Sequence, residues 1–297
     1  MKITLDCIPC LLRQSLEAAR MVSTVTAVHE QIIREILQWI GTMDLNQTPP
    51  AMAQRIHQRL REITVRNDPY REAKDWLNSL ALGLIPELRA KIESACDPLE
   101  FAVRLAIFGN VMDLGSNRIL TFTEVRRAMN LVLTEPFFGE LDKFNQAITD
   151  AQSILYLADN AGEIAFDRLL VEQISSKHVT VVVRGTPVIN DATLIDAQAV
   201  GLDKITEVID NGSDAPGTIL SDCSPEFRHR FAGADLIIAK GQGNFESLSD
   251  EPGNIFFLFK VKCSVIASHI KQPVGTQVLA QSTSIRKSLA HEIGANI

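Results

Sequence analysis

The stretch Ser153-Ile154-Leu155-Tyr156-Leu157-Ala158-Asp159-Asn160-Ala161-Gly162-Glu163, continued by IAFDRLLVEQISS at 164–176, decides the fold. An apolar run this short suits a strand buried on both faces, a polar Gly-containing exit follows it, and the next segment has helical character. The pattern then repeats. HVTVVVR (178–184), ITEVID (205–210), DLIIAK (235–240) and IFFLFK (255–260) are further short apolar runs. Helix-capable segments lie between the first four, notably Glu163 to Ser176 and Asp191 to Val200. Strand alternating with helix predicts a mainly parallel sheet covered on both faces, a three-layer α/β/α arrangement. VKCSVIASH (261–269) is a candidate for one more strand.

Upstream, the rhythm is helical. Ile32, Ile33, Ile36, Leu37 and Ile40 fall on one face. Asp68 to Ser94 continues in the same way, with Pro69 suited to a first turn and Pro86 expected to break or kink the helix. Asp97-Pro98-Leu99-Glu100 is a helix start with a cap, a first-position proline and a capping-box glutamate; that helix should end near Gly109. Further helices are expected from Thr123 to Leu133 and after Pro136. The reading is α/β overall, with a helical domain over 1–150 and an α/β/α domain over 151–297. A length of 297 residues accords with about two domains at roughly 150 residues each.

Hydrophobic residues at 46% and charged residues at 22% exclude a disordered chain. A formal charge of −7 argues against a protein that coats nucleic acid, and obliges any anionic substrate to find a local cation. No apolar run approaches the roughly 18 residues of a membrane span. Five cysteines, an odd number, do not suggest a disulfide framework, and a cytoplasmic, reducing location is expected. Cys7 and Cys10 form a single CxxC at a helix start, open to packing, metal-binding and redox readings; Cys96, Cys223 and Cys263 read as small buried hydrophobes.

Ligands of such sheets sit beyond the carboxyl ends of the strands. The first exit carries Asp159, Asn160 and Glu163; the second Arg184, Gly185, Asn190 and Asp191. The third carries Asp210, Asn211, Ser213 and Asp214; the fourth Lys240, Gly241, Gly243 and Asn244. Four polar exits on one sheet edge point to an active site. Asp159, Asn160 and Asp191 offer only oxygen donors, which suit one hard divalent ion: Mn²⁺, Mg²⁺, Co²⁺ or Ni²⁺. Lys240 beside two glycines suits an anion, so metal-assisted phosphate hydrolysis fits better than acyl or hydride transfer. A P-loop, GxGxxG, HExxH and GxSxG are all absent, and Ala161 stands where an aspartyl-phosphate phosphatase would carry its second aspartate.

Each residue also has a plainer reading. Asp159-Asn160 suits a turn, Asp191 a helix cap, Lys240 a solvated strand end, and Asp210 to Asp214 a polar turn; Arg184 could pair with a helix carboxylate.

In order, LADNAGEIAFD, PVIND, DNGSDAPG and KGQGNFE resemble the damage-control phosphatases. DCIPCLLRQ, NDPYREAK and GNVMDLG look like that family's cysteine-containing microbial branch. The resemblance covers nearly the whole chain. It implies a divalent-metal-dependent phosphatase of small phosphorylated metabolites, with Asp159, Asn160 and Asp191 as metal ligands and Lys240 as phosphate contact. Asn110 and Asp113 match a GN-x-x-D element near the site in relatives. Asp113 and Glu163 are the candidates for the base that orients water, and Asn110, Arg184, Asp214, Gly241 and Asn244 for substrate contact. A non-catalytic nucleotide or phosphometabolite binding module and a methyltransferase-like enzyme are the competing readings; the latter leaves Lys240 and the metal set unexplained.

Overall fold

The computed structural model describes residues 1–109, 122–174 and 177–285. Asn110 and Asp113 therefore lie outside the described residues.

Helices α1 (Cys7–Val22), α2 (Thr26–Thr42) and α3 (Pro49–Thr64) bury Leu11, Ala19, Ile32, Ile36, Met52, Ile56 and Leu60 in a cluster of their own. Helix α4 (Arg71–Glu93) runs through Pro86 without ending. Leu84, Ile85 and Leu88 are buried on either side of the proline, so packing holds the turn that propensity alone would give up. Helix α5 (Pro98–Phe108) starts as expected, Glu100 N–H donating to Asp97 Oδ1 at 2.9 Å. The Glu100 side chain instead pairs with Arg104 one turn on, at 2.9 Å.

Helix α6 (Phe122–Met129) leads to a three-residue strand, β1 (Phe137–Gly139), where a helix was expected. The helix comes after it, as α7 (Leu141–Asp150). Then follow β2 (Ser153–Leu157), α8 (Glu163–Ile174), β3 (His178–Val183), α9 (Leu194–Ala199) and β4 (Glu207–Asp210). Helix α10 (Pro225–Gly233), β5 (Leu236–Lys240), α11 (Gly241–Leu248) and β6 (Ile255–Lys260) complete the alternation. The expected strand at 261–269 is a helix, α12 (Ser264–Ile270), which buries Ile266 against the sheet. The additional strand is β7 (Gln277–Gln281).

Among the described residues the sheet has seven strands in the order β1-β7-β6-β5-β2-β3-β4, parallel except for the β6–β7 pair. Alternation along each strand divides the core. Ile154, Tyr156, Val181, Ile238 and Phe256 join α4, α5, α7 and α8 on one face. Leu155, Leu157, Val182, Ile237 and Phe257 join α10, α11 and α12 on the other. This is a three-layer α/β/α sheet behind a helical N-terminal region. By packing, α4, α5 and α7 belong to one of its layers, although they precede residue 150. Among the described residues no helix is long and apolar enough to cross a membrane.

Candidate active site

The strand order reverses at β2, which leads to β3 and β4 on one side while β5 and β6 lie on the other. The crevice at such a switch point is where parallel sheets bind ligands. Asp159 and Asn160 leave β2 at this point, and Gly241 leaves β5 beside them. Gly241 has φ +81°, and a Cβ built there would stand 1.8 Å from Asp159 Oδ2, so only glycine lets the two exits close together.

Backbone pairing brings Asp191 to the same place. Asn160 and Asp191 form an isolated antiparallel bridge. Ala161 N–H donates to Asn190 O at 2.7 Å, and Ala192 N–H donates to Asp159 O at 2.8 Å. The two exits thus run as a short ribbon carrying all three expected ligands. Asp191 is not the cap of α9; Thr193 is, and its N–H and hydroxyl donate to Asp196 Oδ2 at 2.9 and 2.8 Å.

Charge is unbalanced in this cluster. Asp159, Asp191, Glu163 and Asp167 are buried, and the buried cations among them are Arg184 and Lys240. Exposed Lys262 adds its charge from outside and pulls on Asp159; among the described residues four carboxylates still outnumber these three cations, which favours a bound cation. Burial first, then Glu163 and Asp191, push the Asp159 carboxyl well above its usual range. Burial likewise holds Asp167 up at about 6, against the pull of Lys240. Asn160 Nδ2 donates to Asp159 Oδ2 and Glu163 Oε2, each at 3.0 Å, which turns the amide oxygen the other way. Two carboxylates and an amide oxygen are a fitting donor set for a hard ion. Among the described residues no three His, Cys, Asp or Glu side chains make a ready-made cage; this trio has only two such members.

Arg184 stands between the expected ligands. Its Nε donates to Asp191 Oδ2 at 2.7 Å, and Nη2 lies 3.9 Å from Asp159 Oδ1. The other expected contacts occupy different places. Lys240 is fully buried, and its three N–H donors go to Ala106 O at 2.7 Å, Glu163 Oε1 at 2.6 Å and Asp167 Oδ1 at 2.7 Å. No donor of Lys240 is left for a phosphoryl group. Both oxygens of Glu163 are engaged, one by Lys240 and one by Asn160, and the residue is sealed from solvent, which does not suit a base acting on water. Asn244 braces Arg184 instead of facing a substrate. Its Oδ1 accepts from Thr218 Oγ1 at 2.8 Å and Arg184 Nη2 at 3.3 Å, while Nδ2 donates to Lys240 O at 2.7 Å.

Asp214 forms an ion pair with Arg61 and accepts from Gln54 and Gln58, all on α3. Asn211 folds back onto its own loop, Oδ1 accepting from Ser213 N–H at 3.0 Å and Gly185 N–H at 3.1 Å. Gly109, where α5 ends, lies against Glu163: a Cβ there would be 2.5 Å from Glu163 Cγ.

The sequence reading missed several residues. Tyr156 donates from its hydroxyl to Asp167 Oδ1 at 2.8 Å. Asn78, on α4, accepts from Gly162 N–H at 2.7 Å and so fixes the first exit. Asn190 is buried with neither side-chain polar atom hydrogen-bonded. One signal was available: Glu163 and Asp167 stand four apart among Ile164, Ala165 and Phe166 in the first turns of α8, and a buried acid pair calls for a cation. All five cysteines are free. Cys7 opens α1, burial raises the Cys10 thiol, and Cys263 lies within its electrostatic reach; Cys96 is exposed, contrary to expectation, and Cys223 is buried.

Comparison with known proteins agrees with this fold. The family model described as damage-control phosphatase ARMT1-like domain matches residues 3–278. An uncharacterized protein of Methanocaldococcus jannaschii is 36% identical over 296 residues, covering 94% of this chain and 95% of that protein. A protein of Archaeoglobus fulgidus named damage-control phosphatase is 35% identical over 287 residues, covering 94% and 98%. The crystal structure of a DUF89 family protein from Pyrococcus horikoshii superposes with a TM-score of 0.85 at 30% identity, over 95% of this chain and 99% of that one. With the fold, the ordered motifs and nearly full-length similarity in agreement, the chain belongs to the damage-control phosphatase ARMT1-like family.

Proposed function

We propose that this protein is a divalent-metal-dependent phosphomonoester hydrolase of small phosphorylated metabolites, such as damaged or overproduced sugar phosphates. The observation that carries the reading is the buried trio Asp159, Asn160 and Asp191 at the switch point, where among the described residues carboxylates outnumber cations. A divalent ion in this trio would supply Lewis-acid polarisation of a phosphoryl oxygen and a water of lowered pKa. Asp159, Asn160 Oδ1 and Asp191 hold that ion. Arg184 lies between the two carboxylates with Nε on Asp191, Nη1 on Thr218 and Nη2 on Asn244, so it offers a phosphoryl group at the same edge its positive charge and not a free fork of donors. The Gly241 exit brings backbone close without a side chain in the way. Glu163, engaged by Lys240 and Asn160, is poorly suited to orient the attacking water, and Asp113, outside the described residues, is the other candidate base that the family resemblance implies.

Release of inorganic phosphate from a panel of sugar phosphates, with and without Mn²⁺, Mg²⁺, Co²⁺ or Ni²⁺, tests the activity. Elemental analysis and thermal melts of wild type and Asp159→Ala test the site. The expected outcome is metal-dependent turnover, with most bound ion lost from a folded Asp159→Ala. Unchanged ion stoichiometry in that variant sinks the assignment. Tight binding of sugar phosphates without turnover, at any metal, would establish the binding-module reading instead.

A further inference from the structure

A row of buried side chains runs beneath the ligand trio. Tyr156 Oη donates to Asp167 Oδ1 at 2.8 Å, and Lys240 Nζ donates to the same oxygen at 2.7 Å. Lys240 Nζ also donates to Glu163 Oε1 at 2.6 Å. Glu163 Oε2 accepts from Asn160 Nδ2 at 3.0 Å, and that nitrogen also donates to Asp159 Oδ2 at 3.0 Å. Tyr156, Asp167, Lys240 and Glu163 are all 0% exposed. Three ionic groups in a core are a poor stability device, because apolar side chains of similar volume would serve as well. Their placement calls for another account.

The two ends of a primary amide have nearly the same shape, but a hard cation accepts only the oxygen. What lies behind the amide decides which end faces the ion. Here Glu163 Oε2 lies behind Asn160, and a carboxylate oxygen whose partner oxygen is held by Lys240 accepts, so the NH₂ end is the one that fits there, where it also meets Asp159 Oδ2. Glu163 is held in that position by Lys240, and Lys240 by Asp167 and Ala106 O. Tyr156 fixes the Asp167 oxygen that Lys240 uses.

We propose that Tyr156, Asp167, Lys240 and Glu163 form a positioning relay that keeps Asn160 Oδ1 turned toward the metal position, and that Lys240 acts through this relay and not by touching phosphate. The proposal rests on the metal-dependent reading above. Supporting groups behind metal ligands commonly matter by 10- to 100-fold in affinity or activity.

The test measures Mn²⁺ affinity by calorimetry on the full chain stripped of metal, alongside phosphate-ester kinetics at saturating Mn²⁺ and a thermal melt. Asp167→Asn, close to isosteric, should weaken Mn²⁺ binding by about tenfold or more while KM for the ester stays within about twofold. Tyr156→Phe, which removes one hydroxyl, should shift affinity in the same direction by a smaller factor; it carries the test if Asp167→Asn does not fold. Wild-type Mn²⁺ affinity in folded Asp167→Asn, or in Tyr156→Phe where only that variant folds, overturns the relay. So does a Lys240→Met protein whose KM or kcat changes while Mn²⁺ affinity does not. Failure of the underlying reading looks different: the wild type binds no Mn²⁺, or Asp159→Ala binds it equally well, and the relay then falls with that reading.

Discussion

Asp159 is a carboxyl whose own ionisation is opposed by its surroundings. Burial and the neighbouring Glu163 and Asp191 hold its pKa well above the usual value of 3.8, so the ion-free folded protein keeps a proton there that the unfolded chain has lost. In the interval between those two values the folded state binds more protons. The ion-free protein should therefore lose stability from this group as pH rises through that interval, contrary to the habit of a salt-bridged aspartate. A cation ligated by Asp159 must displace the proton. Affinity for Mn²⁺ should thus increase with pH, and binding should release protons. Calorimetry in two buffers of different ionisation enthalpy, at a pH below the raised pKa, checks this. A binding enthalpy independent of buffer would mean that Asp159 binds the ion without exchanging a proton for it, or does not bind it at all.

Helix α4 locks the first two exits from outside the sheet. Arg71, Lys74 and Asn78 repeat at helical spacing and converge on Asp196 at 2.6, 3.0 and 2.9 Å. Lys74 and Asp196 are both fully buried. Asp196→Ala removes the nearer partner of a buried ammonium, leaving it Asp68 at 3.4 Å, together with the cap partner of Thr193. We expect a loss of about 3–5 kcal/mol, the usual cost of breaking a buried pair. Urea unfolding of wild type and variant measures it; a loss below about 1 kcal/mol would mean that Lys74 finds solvent or another acceptor. NDPYREAK was visible in the sequence as a motif, but its target was not, because Asp196 lies on a distant helix. The same limit runs through the fold. Five strands were legible because each is a short apolar run; β2, β3, β5 and β6 are buried, while β4 at the sheet edge is only half-buried. β1 was not, since three residues carry no period, and β7 was hidden by glutamines at both ends. VKCSVIASH has the composition of a strand, yet buries only Ile266 as a short helix. At the site, the oxygen-donor trio was legible from types and exits. The use of Lys240 was not, since a strand-end lysine shows its charge in sequence and not the two acids of α8 that enclose it.

At the scale of the molecule, α3 clasps the third strand exit. Arg61 pairs with Asp214 and donates to Pro187 O at 2.8 Å, and Gln54 donates to Asp214 at 2.6 Å and Asp222 at 2.8 Å. This contact ties the helical cluster of α1–α3 to the sheet edge. Asp214→Asn should cost about 1.5–3 kcal/mol of stability, the worth of charge-assisted bonds, with kcat/KM for a phosphate ester within about threefold. A hundredfold fall in kcat/KM without a change in melting would restore Asp214 to the substrate. The strand order carries a consequence of another kind, for the emergence of the chain from the ribosome. β2, β3 and β4 are neighbours in sequence and in space, so this half of the sheet can zip from local contacts as it is made. β1 has no such partner at hand: Phe137–Gly139 pairs with Gln277–Gln281, and that strand must first dock beside β6. Until then IFFLFK keeps one edge bare, with no charge before Lys260 and no proline. An uncovered strand of this composition is the kind that recruits other chains, so the interval between the exit of β6 and the docking of β7 is when a nascent chain is most open to aggregation.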